Sequence, residues 1–161
     1  MRILVVSDTH GDFGTLRKVV EAHQEADIIV HCGDGARDID RIKDIYPEKK
    51  IINVRGNCDL GVNDVPNIEI FMVQGKKIMV THGHLFEVKY GLNRIIYEAK
   101  EINCDVVLFG HTHNAVADYD EGLFILNPGI CNGYNASFGY VDITKDGIVT
   151  NILKASTCDS F

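Results

Sequence analysis

Seven polar side chains each stand just past an apolar run of this chain. Asp8 and His10 follow residues 2–7, Asp34 follows 27–31, Asn57 follows 50–55 and His82 follows 77–81. His111 and His113 follow 106–109. Carboxylate oxygen, amide oxygen and imidazole nitrogen together suit borderline-to-hard divalent ions: manganese, iron, zinc or nickel, with no thiolate required. Seven such donors, one of them a bridging carboxylate, are enough for two ions. Two ions about 3.5–4 Å apart can generate hydroxide at neutral pH and clamp both oxygens of an in-line phosphoryl displacement. An aspartate makes the best bridge, because its two oxygens reach both ions and its charge offsets their repulsion. The chemistry to expect is metal-assisted cleavage of a phosphate ester.

Each residue also has a plainer reading. Asp8 or Asp34 could cap a following helix. Asn57, beside Gly56, could be a turn residue. His82 and His84 could be surface histidines. His23, on the apolar face of a helix, and His31, inside a strand, read as structural. All the plain readings must hold together to remove the site, and His111-x-His113 directly after an apolar strand resists them most.

The elements that must position these residues are legible from periodicity. Residues 2–7, 27–31 and 50–55 read as short buried strands. Leu16, Val19, Val20 and His23 share one helical face, and Ile39, Ile42 and Tyr46 suggest a second helix stopped by Pro47. That alternation implies a parallel sheet with right-handed crossovers. Residues 68–73 and 77–81 flank Gln74-Gly75-Lys76 as a hairpin. A third helix carries Leu92, Ile95, Ile96 and Ala99. After Thr112 the pattern is all-β: 115–119, 123–126, 137–143 and 148–153, with glycine-bearing turns between them. No repeat, linker or low-complexity segment interrupts the chain. Two packed sheets with helices outside, in a single domain over 1–161, is the architecture implied. Ligand sites of open α/β sheets gather outside the carboxyl ends of the strands, where all seven donors fall.

The chain has 161 residues, 45% of them hydrophobic, and a formal net charge of -7. The densest basic run is Lys49-Lys50, so no stripe of the kind that follows a nucleic-acid backbone is present. That balance argues against a nucleic-acid partner and leaves a small phosphoester whose charge metals neutralise. The N-terminal apolar stretch, residues 3–6, is too short for a signal peptide or membrane span. Five cysteines without a C-x-x-C pair fit reduced thiols and a cytoplasmic setting. A homo-oligomer is left open.

Asp8-Thr9-His10, Gly33-Asp34, Gly56-Asn57, His82 and Gly110-His111-Thr112-His113, in that order, resemble the signature of the calcineurin-like metallophosphoesterase superfamily. The short length and Asn57-Cys58-Asp59 resemble its small bacterial and archaeal phosphodiesterase branch. Asn127-Pro128-Gly129 is similar to a block of that branch, with Ile130 where a serine is common. The resemblance implies a four-layer αββα sandwich, two mixed sheets flanked by helices. It implies one metal on Asp8, His10, Asp34 and His113 and a second on Asp34, Asn57, His82 and His111, with Asp34 bridging. Manganese is the first expectation for the ions. Asn57 would also lie near the substrate phosphate, and Cys58 and Asp59 join Asn57 and Asp34 as candidate catalytic residues. Many members carry a histidine where Cys58 stands, so the general acid is left open. Residues 58–67 and 86–91 are expected to line the pocket. The functions implied are a phosphodiesterase acting on small diesters, a phosphomonoesterase, or a metal-binding scaffold similar to the retromer subunit.

Overall fold

The computed structural model describes residues 1–160, and the side chains through residue 158. Two five-stranded sheets lie face to face. The first has the order β10-β9-β1-β2-β3, built from β1 (Arg2–Val6), β2 (Ile28–His31), β3 (Lys50–Asn53), β9 (Ser137–Thr144) and β10 (Gly147–Lys154). The second has the order β4-β5-β6-β8-β7, from β4 (Ile68–Val73), β5 (Lys76–Thr81), β6 (Val106–Leu108), β7 (Val116–Asp120) and β8 (Leu123–Asn127).

Alternation along single strands explains the layering. Ile3 and Val5 of β1 face the second sheet, joined there by Val30, Ile78, Val80, Val106 and Leu108. Leu4 and Val6 point the other way, beneath α1 (Phe13–Ala22) and α2 (Ala36–Ile45), against Leu16, Val19, Ile39 and Ile42. On the second sheet Met79, Val107 and Ile125 turn outward to meet Ile95 and Ala99 of α3 (Asn93–Glu101). The result is the expected four-layer sandwich of mixed sheets.

The parallel expectation holds for β1, β2 and β3, whose register pairs Val5 with Val30 and Val30 with Ile52. The C-terminal strands do not form one unit. β7 and β8 complete the second sheet, whereas β9 returns to the first and pairs antiparallel with β1, Leu4 opposite Tyr140. Among the described residues no helix is long and apolar enough to cross a membrane.

Candidate metal centre

The loops after β1, β2, β3, β5 and β6 meet at one end of the sandwich, and the neighbouring loops are tied together by backbone. Asp8 N–H donates to Gly33 O and His10 N–H to Asp34 O, both at 3.0 Å. Gly110 N–H donates to His82 O at 3.1 Å. Five of the seven candidate ligands adopt left-handed backbone: Asp8 (φ 55°), His10 (44°), Asp34 (60°), His111 (67°) and His113 (61°). Non-glycine residues rarely enter this region, and strain of that kind, about 1–3 kcal/mol each, collects at functional sites. Two glycines let the loops close. A Cβ on Gly56 would strike the Asp34 carboxylate, and one on Gly110 would strike the Ser7 hydroxyl and Asp8 Oδ2.

The donor atoms converge in two overlapping groups. Around Asp8 Oδ1 stand His113 Nε2 at 3.2 Å and His10 Nε2 at 3.6 Å, and the two imidazole nitrogens are 3.2 Å apart. Around His82 Nε2 stand Asn57 Oδ1 at 3.1 Å, His111 Nδ1 at 3.2 Å and Asp34 Oδ2 at 3.2 Å. Asp34 Oδ2 is also 4.0 Å from His10 Nε2, so one carboxylate oxygen lies between the groups. Three sets of side chains have ligand atoms mutually within 4.8 Å: Asp8, His10, His113; Asp8, Asp34, His82; and His10, Asp34, Cys58.

These residues fit a divalent cation. Asp8 is fully buried, its Oδ2 accepts from Ser7 Oγ at 2.5 Å and from His111 N–H at 3.1 Å, and its Oδ1 has no hydrogen-bond partner. A buried carboxylate oxygen without a donor is destabilising unless a cation completes it. His82 Nδ1 donates to Cys32 O at 2.8 Å, which fixes the ring and aims Nε2 at the cluster, the usual arrangement behind a ligating histidine. Asp34 Oδ1 accepts from Cys58 N–H at 2.7 Å, leaving Oδ2 for the cluster.

Burial raises the Asp34 carboxyl, but the His82 ring and the Cys58 amide outweigh it and hold the group well below the ordinary carboxylate range. Burial lowers His82, yet the Asp34 and Asp8 carboxylates prevail and raise it. His111 is pushed down to about 4 by burial and by the charges of His82 and Lys89, so its ring is uncharged at neutral pH and one of its nitrogens is free to bind a cation. The cluster thus presents the ionised Asp34 carboxylate beside the uncharged His111 ring, donors that divalent ions take.

The plainer readings fail at particular atoms. The cap of α1 is Asp12, whose Oδ1 accepts from Thr15 N–H, and not Asp8. The first amides of α2, Gly35 and Ala36, donate to Asp59 Oδ1, and not to Asp34. Asp59 Oδ2 accepts from Asp34 N–H and Gly56 N–H, so both oxygens of Asp59 serve backbone. His82 is fully buried. His84 is half-buried with its ring centroid 5.4 Å from that of His82, so neither is a surface histidine. His31 is buried as expected, 3.4 Å from Thr9 Oγ1. His23 tilts against Phe138 at the end of α1.

Two further residues hold the loops: Asp38, which carried no signal in the sequence, and Asn127, which the sequence marked only as part of the Asn127-Pro128-Gly129 block. Asp38 lies on the buried side of α2 and accepts from Thr9 Oγ1 at 2.6 Å and Gly11 N–H at 3.0 Å, which holds the first loop. Asn127 Nδ2 donates to Gly110 O and to Thr112 Oγ1, both at 2.9 Å, and thereby holds the His111-Thr112-His113 loop. Beside the cluster lies a cavity of about 280 Å³ lined by His10, Asp34, Arg37, Cys58, Leu60 and Val62 among others. Of the expected segment 58–67, Cys58, Asp59, Leu60 and Val62 line this cavity and residues 63–67 do not. The loop 86–91 does not line this cavity; Phe86, Glu87, Tyr90 and Gly91 border a separate hollow.

Convergent Asp, His and Asn side chains at the strand ends of an αββα sandwich define a metal-dependent phosphoester hydrolase. The model of the calcineurin-like phosphoesterase superfamily domain matches residues 1–146, and the chain belongs to that family. It is 34% identical over 131 residues to a probable metallophosphoesterase of Bacillus subtilis, YsnB, covering 80% of this chain and 74% of that one. It is 30% identical over 151 residues to the phosphodiesterase MJ0936 of Methanocaldococcus jannaschii, covering 83% and 86%. The crystal structure of a conserved Streptococcus pneumoniae protein, described as a predicted phosphoesterase, superposes with a TM-score of 0.82 at 26% identity, covering 96% of this chain and 90% of that one.

Proposed function

We propose that the protein is a phosphodiesterase for small diesters that works with two divalent ions. Asp8, His10, Asp34 and His113 would hold the first, and Asp34, Asn57, His82 and His111 the second, with Asp34 shared. The observation that carries this reading is the buried Asp8 Oδ1, which lacks a hydrogen-bond donor and faces two imidazole nitrogens within 3.6 Å. Asn57 Oδ1 and His111 Nδ1 stand 3.1 and 3.2 Å from His82 Nε2, close enough for all three to share one cation. Manganese is the ion we would expect first, with nickel, zinc or iron as alternatives. Such ions, when bound, supply Lewis acidity and lower the pKa of a coordinated water to about 7.

The chain's own groups do the rest. Asn57 presents its amide at the mouth of the cluster, where it can orient the phosphate. Asp59 takes a positioning role: it fixes the turns that carry Asp34 and Asn57, and its oxygens are occupied by amides. Cys58 occupies the cavity wall, its Sγ accepting from Asn57 Nδ2 at 3.3 Å, and burial followed by the nearby Asp34 raises its thiol above the ordinary range. A neutral thiol is a weak donor, so the leaving alcohol departs with little acid help and aryl leaving groups are favoured.

The cavity beside the cluster supports diesters over monoesters, because it offers room for a second ester substituent against Leu60 and Val62. The MJ0936 relative, named a phosphodiesterase, is consistent with this choice. A purely scaffolding role gains nothing from seven donors drawn together, five of them at strained backbone. With manganese-loaded protein, kcat/KM for a bis-aryl phosphate should exceed that for the matching aryl monophosphate by about tenfold or more, about 1.4 kcal/mol of barrier. The reverse order would make the protein a phosphomonoesterase. No turnover of either ester with metal bound would favour the scaffold.

A further inference from the structure

We infer that Arg37 selects phosphodiesters in which one ester group carries a second anionic group, a distal phosphate or carboxylate. The inference deepens the reading just given and rests on the metal cluster holding the scissile phosphate. Arg37 lines the cavity that contains His10, Asp34 and Cys58, and is exposed there. Among the described residues it has no hydrogen bond, ion pair or ring contact. Arg41, one turn further along the same helix, lies instead over the Phe13 ring at 3.5 Å.

None of the carboxylates lining the same cavity forms an ion pair with Arg37; each is directed to other partners. Asp38 binds Thr9 and Gly11, Asp59 takes four backbone amides, and Asp34 faces His82 and Cys58. The amides at the start of α2 are likewise taken by Asp59, so the helix terminus itself offers no anion site.

Arg37 is the second residue of α2, at the positive end of the helix dipole. A cation there is locally unfavourable by about 0.3–1 kcal/mol. Departures from a local rule in natural proteins are expected at functional or strained sites. A guanidinium at that position meets a carboxylate or phosphate with a planar pair of donors. Leu60, 82% exposed, and Val62 line the same cavity, an apolar surface for the carbon skeleton between the two anions.

The test uses matched product-like ligands: the monophosphates and the bisphosphates of 1,3-propanediol and of 1,5-pentanediol. Calorimetric Kd values are measured on the full chain loaded with manganese. For at least one chain length the bisphosphate should bind tenfold or more tightly than its monophosphate. That ratio should fall to near one in Arg37→Ala, keep an intermediate value in Arg37→Lys and drop below one in Arg37→Glu. A wild-type ratio near one at both lengths, or a high ratio that persists in Arg37→Ala, overturns the inference. Failure of wild type to bind either monophosphate would instead strike at the phosphate-binding cluster, so the two failures are distinguishable.

Discussion

Asp34→Asn should lower kcat/KM on a bis-aryl phosphate by at least about a thousandfold, roughly 4 kcal/mol in transition-state stabilisation. The oxygen Asp34 Oδ2 lies 3.2 Å from His82 Nε2 and 4.0 Å from His10 Nε2, and so stands between both donor groups. An amide there keeps the shape but loses the charge, and one of its two ends becomes a donor that repels a cation. The other oxygen receives Cys58 N–H, so the correct flip of the amide keeps that bond and preserves the fold. The expected signature is lost activity with a melting temperature close to wild type in metal-free buffer. Activity within tenfold of wild type would remove Asp34 from the bridging role.

Asp59→Ala should act oppositely, on stability first. The carboxylate accepts from Asp34 N–H at 2.9 Å, Gly35 N–H at 2.9 Å, Ala36 N–H at 3.0 Å and Gly56 N–H at 2.8 Å. Alanine leaves four donors without their acceptor at the junction of the β2 and β3 loops. Orphaned donors are destabilising by about 1–3 kcal/mol each when buried. The site is partly open to water, so a total of about 2–4 kcal/mol is expected, which lowers the melting temperature of a chain this size by about 5–12 °C. Asp59→Asn should rescue only part of this, because its NH2 end meets two amide donors where Oδ2 stood. Thermal unfolding of both variants in metal-free buffer checks the order. A melting temperature within 1 °C of wild type for Asp59→Ala would refute the anchoring role.

Much of the frame was legible because the signals are local. The runs of Val and Ile that mark β1, β2 and β6, and the faces holding Leu16, Ile39 and Ile95, lie within a few residues of one another. The element limits followed to within about two residues. The seven donors were legible for a related reason: each sits just past the carboxyl end of an apolar run. What stayed hidden depends on contacts between distant segments. Nothing around Asp59 shows that its carboxylate reaches back 23 residues to the start of α2, or that it displaces Asp34 as the cap. Asp38 reads as the polar side of an amphipathic helix until Thr9 and Gly11 are seen above it. The division of β7–β10 between two sheets needs the antiparallel pairing of β9 with β1, 140 residues apart at Arg2 and Asp142. Arg37 reads as a solvated helix residue until the helix is placed beside His10 and Cys58.

The account depends on one quantity, the number of divalent ions the folded chain holds. Protein stripped with a chelator, reloaded with manganese and freed of excess ion should carry close to two ions per chain by elemental analysis. Asp34→Asn treated in parallel should carry less than one. Wild type that retains none, or that retains two equally well in Asp34→Asn, would contradict a paired site bridged by that carboxylate.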